Sequence, residues 1–133
     1  MQPTKESINI LGVSVGTKTA GELIDYIIQA NQAKERVLLA YINIHAINLA
    51  QQQSWFKDYL NQANLTFCDG YGIKLGARLL GYHIRERFTP PDWLPELASI
   101  CAQKGFRLYF LGARPGVADQ AARKLVSQYP QLL

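Results

Sequence analysis

The rhythm of this chain constrains it most. Short apolar runs alternate with segments whose apolar residues recur at helical spacing. Residues 8–15 read as a strand broken by Gly16, and Thr19 then suits the N-cap of a helix with Leu23, Ile24, Ile27 and Ile28 on one face. Residues 37–42 form an unalternating apolar run, as expected for a parallel strand buried on both faces. The stretch 46–60 reads as two short helices parted near Gln53-Ser54, and 65–68 as a strand ending at Asp69-Gly70. Ile73, Ala77 and Leu80 then line a helix that stops before Gly81. Pro90-Pro91 breaks the pattern, with Asp92 as the expected cap of a helix over 93–104 that Gly105 ends. Residues 107–111 read as the clearest strand, followed by a helix over 117–128 with Ala121, Ala122 and Leu125 inward. Strands alternating with helices predict right-handed crossovers and a Rossmann-like α/β fold, a parallel sheet flanked by helices. One domain over residues 1–133 is expected. The sequence ends at Tyr129-Pro130-Gln131-Leu132-Leu133, where another strand is expected to begin, so the sheet is expected to be truncated after its last helix.

Composition narrows the function classes. A hydrophobic fraction of 48% with 18% charged residues is that of a packed core rather than a disordered chain. Cys68 and Cys101 are too few for a disulfide framework or a four-ligand zinc site. The start, Met1-Gln2-Pro3-Thr4-Lys5-Glu6, lacks the apolar stretch of a signal peptide, and no run is long enough to span a bilayer. The expected compartment is a reducing cytoplasm. The net charge of +4 is unevenly spread. Up to Ala77, Lys5, Lys18, Lys34, Arg36, Lys57 and Lys74 are balanced by as many acidic residues, whereas from Arg78 onward eight basic residues face four acidic ones. That excess suits an anionic partner, a phosphorylated molecule or a membrane surface, or else a solvated basic face. Nucleic acid is not expected, because the chain has no dense Lys/Arg stripe, zinc spacing or RNP-like aromatic segment.

Ligands in open α/β sheets bind beyond the carboxyl ends of the strands, so three strand ends carry the candidate chemistry. At the first, Asn43 offers a donor and an acceptor to a ligand, or else caps the next helix. His45 has no metal-ligand partner at suitable spacing and reads as an ordinary histidine. At the second, Asp69 leaves a hydrophobic strand, which makes it a usable general base, or else it caps a helix. Gly70 and Gly72 would let a ligand approach the backbone, and Cys68 reads as a small packed hydrophobe. At the third, Gly112-Ala113-Arg114-Pro115-Gly116 lies between a strand and a helix start, where free N–H groups attract an anion and Arg114 adds charge. Arg85 and Arg87 flank Glu86 before Pro90-Pro91, as a phosphate clamp or as a salt-bridged pair. A dinucleotide-binding domain is disfavoured, because Val15-Gly16-Thr17-Lys18 lacks the glycines that such a turn needs.

Taken in order, Asn43, Asp69-Gly70 with Gly72, Leu80-Gly81, Glu86-Arg87-Phe88-Thr89, the 111–118 turn and Tyr129-Pro130 resemble the N-terminal part of the WecG/TagA/CpsF glycosyltransferase family. The resemblance runs from about Ile8 to the last residue. It implies an inverting transferase moving an N-acetylhexosamine or related sugar from a UDP-sugar to a polyprenyl-diphosphate-linked sugar. The product would serve bacterial cell-surface polysaccharide or teichoic acid synthesis, with the protein in the cytoplasm or peripheral at the inner face of the cell membrane. It implies Asp69 as catalytic base, Asn43 and Arg87 in the substrate site, and no metal or other cofactor. Gly70, Gly112 and Arg114 are expected to bind substrate on the grounds given above. Two departures stand out: Thr89-Pro90-Pro91-Asp92-Trp93 replaces the family's Thr-Gly-x-Asp-Leu, and its Pro-Lys-Gln-Glu segment and basic C-terminal extension are missing. The alternative reading is a non-catalytic nucleotide-sugar-binding module. With its later strands missing the sheet would keep an exposed edge, so a homo-oligomer, at least a dimer at micromolar concentration, is expected.

Overall fold

Parallel pairing is present where the apolar runs placed it. In the computed structural model, which describes residues 6–133, β3 (Leu39–Ile42) and β4 (Leu65–Cys68) run parallel in the register Leu39↔Leu65 to Ile42↔Cys68. The start of the chain, read as lacking a signal peptide, lies outside the described residues except for Glu6. Between the two strands come α2 (Ile44–Gln52) and α3 (Ser54–Gln62), parted at Gln53 as the sequence predicts. All four residues of β4 are buried, but β3 alternates: Ala40 and Ile42 are buried while Tyr41 is half exposed. The expectation of a strand buried on both faces therefore fails for β3, because among the described residues nothing covers the Tyr41 side to that depth.

The first predicted strand is two. β1 (Ser7–Ile10) and β2 (Val13–Gly16) form an antiparallel hairpin turned at Leu11-Gly12, both with positive φ. Two such residues give the twist that matches a right-handed strand pair. The turn is held from outside. Gly12 N donates to Asn9 Oδ1, Gln51 donates to Leu11 O, and Asn61 takes Ser14 N while giving its amide to Gly12 O. Period-two burial then puts Ile8, Ile10, Val13 and Val15 into one core with Ile42, Ile47, Leu60 and Ile73.

β2 meets β4 through a side chain. The Thr66 hydroxyl accepts from Gly16 N at 2.8 Å and donates to Ser14 O at 2.8 Å. A Cβ on Gly16 would lie 1.9 Å from Thr66 O, so only glycine permits this approach. Helix α1 (Ala20–Gln32) follows with the predicted cap: Thr19 and Glu22 form a capping box, each side chain taking the other's backbone N–H. Helix α4 (Tyr71–Leu79) buries Ile73 and Ala77 and ends before Gly81, whose φ is +81°.

The chain divides into two compact units, Met1–Thr89 and Pro90–Leu133. The second contains α5 (Pro90–Lys104) and α6 (Val117–Gln128). Helix α5 starts at Pro90, so Asp92 sits in its first turn and not at the cap. In α6 Leu125 is buried, but Ala121, expected inward, is exposed. Residues 107–111 are not a strand: Leu108 N donates to Leu133 O, and Tyr109 and Leu111 are almost fully exposed. Strand propensity needs a neighbouring strand to satisfy its backbone, and this unit's regular elements are both helices. Among the described residues, parallel pairing is confined to β3 and β4.

Candidate active site

The paired ends of β3 and β4 build the site. Asp69 N donates to Ile42 O at 2.9 Å, extending the ladder by one bond, so Asn43 and Asp69 leave the sheet together at its carboxyl edge. Each strand then turns into a helix. Asn43, in extended backbone, caps α2, and its Oδ1 accepts from Ala46 N at 2.9 Å. The capping role therefore holds for Asn43. Its carboxamide nitrogen still carries two donor hydrogens for a ligand.

Asp69 is placed differently. The cap position of α4 falls on Gly70, with no side-chain cap bond, so Asp69 is half-buried one residue ahead of the cap and does not cap the helix. Gly70 has φ of +150°, a backbone that residues with a side chain rarely adopt, and its Cα faces Asn43. Gly72 is also required by packing: a Cβ there would lie 2.6 Å from Ile44 Cγ1, where α4 crosses the start of α2.

Arg87 is brought to this edge by the next backbone contact. Phe88 N donates to Cys68 O at 3.2 Å, and the Phe88 ring stacks on Phe67 with centroids 4.9 Å apart, which fixes the 87–88 stretch beside the end of β4. The Arg87 guanidinium sits 4.7 Å from the centroid of the Tyr71 ring. An aromatic face attracts a cation and leaves the N–H edges of the fork free to meet an anion. Tyr71 was not among the sequence candidates. The only available signal was an aromatic residue between Gly70 and Gly72, at a position where a helix begins.

Arg85, which the sequence paired with Arg87 as a clamp or with Glu86 as a salt bridge, does neither. It reaches both carboxylate oxygens of Glu22, at 3.0 and 2.7 Å, while Glu86 Oε2 accepts from Ala20 N at 2.9 Å. Both residues fasten α1. The cap bond from Thr19 N and the Arg85 guanidinium hold the Glu22 carboxyl below its usual range.

Cys68 lies under the site with its thiol donating to Gly70 O at 3.5 Å. Burial pushes that thiol above its usual range, opposed by Gly70, Lys74 and Arg87, while Asp69 adds to the rise. A recess of about 260 Å³ beside Asn43 is lined by Tyr41, His45, Leu49, Phe56 and Tyr59. Among the described residues no cluster of His, Cys, Asp and Glu could hold a metal.

Gly112 and Arg114 sit in the second unit, on a turn of their own. Gly112, Ala113 and Gly116 have positive φ, Val117 N donates to Arg114 O, and Gly116 caps α6 without a side-chain bond. The helix start is as expected, and the preceding strand is not. The structure thus gathers Asn43, Asp69, Gly70 and Arg87 in the first unit.

Comparison with known proteins agrees with the motifs. The family model described as "Glycosyl transferase WecG/TagA/CpsF family" matches residues 8–133. An N-acetylglucosaminyldiphosphoundecaprenol N-acetyl-beta-D-mannosaminyltransferase of Bacillus subtilis (strain 168) is 28% identical over 75 residues. That alignment covers 56% of this chain and 29% of the relative's length.

Proposed function

This chain belongs to the WecG/TagA/CpsF glycosyltransferase family, and we propose that it transfers an N-acetylhexosamine, with inversion, from a UDP-sugar to a polyprenyl-diphosphate-linked sugar. The product would enter cell-surface polysaccharide synthesis, with residues 1–133 serving as one domain at the inner face of the cell membrane. The observation that carries the reading is the gathering of Asp69, Asn43, Gly70 and Arg87 at the carboxyl edge of the only parallel strand pair among the described residues. The relative's name supports it, since that protein's named acceptor is an N-acetylglucosaminyl diphosphoundecaprenol and its product linkage is beta.

The chemistry follows from the placement. Asp69, unused by the helix cap, takes the proton from the acceptor hydroxyl as its oxygen attacks the anomeric carbon. The bond from that carbon to the diphosphate breaks, and UDP departs with the electron pair. Arg87 offsets the charge that grows on the departing diphosphate. The Asn43 amide hydrogens orient the sugar, and the bare Gly70 backbone leaves room for it. In the second unit, taken by itself, Gly112 and Arg114 at the start of α6 are proposed as substrate-binding residues, the turn being suited to an anionic group.

The test is Asp69→Asn. It removes the base and keeps the shape, so transfer is expected to fall by about 10²–10⁴-fold while UDP-sugar binding, followed by calorimetry, persists. Turnover near that of the parent would remove Asp69 from the mechanism.

A further inference from the structure

Helix α4 has an outward face that its core role does not explain. Ile73 and Ala77 point inward, yet Tyr71, Leu75 and Leu79, spaced by four and roughly opposite, are 73%, 59% and 80% exposed. A solvated helix would carry polar residues there. Lys74 and Arg78 flank the ridge instead, and between Asp69 and Glu86 the chain has no carboxylate. Arg85, in the same stretch, is matched by Glu22, so Lys74 and Arg78 are the cations beside Leu75 and Leu79. The Lys74 ammonium also reaches Arg85 O at 3.4 Å, which holds it at the edge of the ridge. An open groove of about 880 Å³ runs between α4 and Tyr82-His83-Ile84.

We propose that this face of α4 docks on an anionic phospholipid surface, with Leu75 and Leu79 entering the interface and Lys74 and Arg78 meeting lipid phosphates. Apolar side chains beside cations, without carboxylates, are what such a surface selects. A second copy of the chain fits less well, because a two-fold contact through Leu75 and Leu79 would bring Lys74 and Arg78 of both copies together, and residues 70–85 carry no carboxylate to match them. The face begins at Tyr71, the ring under Arg87, so docking would turn the site toward the membrane. That consequence rests on the proposed lipid-linked acceptor, but the docking itself does not.

The experiment is co-sedimentation of the 133-residue chain with vesicles of phosphatidylcholine alone or doped with phosphatidylglycerol. Binding is expected to the doped vesicles and to weaken as salt is raised. Leu75→Glu with Leu79→Glu, and separately Lys74→Glu with Arg78→Glu, should each cut it by at least about tenfold while circular dichroism stays unchanged. Asp69→Asn should bind vesicles as the parent does, so loss of transfer and loss of docking can be told apart. Equal binding to undoped vesicles, or undiminished binding by both double variants, overturns the proposal. So does a dimer that the leucine variant alone dissolves while vesicle binding persists.

Discussion

Two arginines two residues apart have different surroundings, set by the groups each one meets. Arg85 is matched by a carboxylate, whereas Arg87 lies on an aromatic ring that takes none of its hydrogen bonds. Arg87→Ala is therefore expected to weaken UDP binding by about 1.5–3 kcal/mol, the range for hydrogen bonds to charged groups, and lysine to restore it only partly. Arg85→Ala should leave UDP affinity near that of the parent and lower the melting temperature instead. Calorimetry and thermal unfolding on both variants check the split. Glu22 supplies a pH test. Its carboxyl is held below its usual range when folded, so its stabilisation is present above the unfolded-state value and is lost as pH falls through the folded one. Glu22→Gln should flatten the acid limb of the stability curve. An unchanged limb in urea titrations between neutral pH and pH ~3 would show that the pair contributes nothing.

Elements meet here through small residues and single hydroxyls. Thr66 joins β2 to β4, and the hairpin can approach only because Gly16 has no side chain. Gly16→Ala should therefore destabilise by at least about 1–3 kcal/mol, the cost of forced overpacking, and more if the hairpin detaches. Thr66→Val keeps the volume and removes both hydrogen bonds, leaving Gly16 N and Ser14 O unpaired, at a similar cost. Chemical denaturation measures both. A change within ~0.3 kcal/mol for either would mean that β2 does not depend on this junction. Gly72→Ala belongs with them, since it would press on Ile44 where two helix starts cross beneath the site.

At the scale of the molecule, the two units bury unequal cores. The first holds most of the buried apolar residues, while the second has Leu97, Ala98, Cys101, Leu125 and Leu132. Each contains one buried thiol, Cys68 or Cys101, and burial pushes both above their usual range. In the native protein at neutral pH both should resist alkylation, since the thiolate is the reactive form. With rising urea, Cys101 is expected to become labelled before Cys68, because a smaller core opens at a lower free energy. Mass spectrometry of the labelled peptides reads the order. Coincident labelling would show that the chain opens as one cooperative unit.

Local patterns determined most of the elements. The Thr19 cap with α1, the break at Gln53, the end of α4 before Gly81 and the positions of β3 and β4 all follow from interactions within a few residues. Asp69 and Asn43 were legible for the same reason, since each directly follows an apolar run. Partners distant in sequence decided the rest. The 107–111 run has strand composition and, among the described residues, no strand paired with it, and residues 8–15 fold back on themselves with Asn61 and Gln51 holding the turn. The pairing of Arg85 with Glu22 spans 63 residues, and Tyr71 meets Arg87 only because the fold brings α4 beneath it. Propensity acts along the chain, whereas a hydrogen bond or a ring contact requires two groups at one point in space, and only the folded chain brings them there.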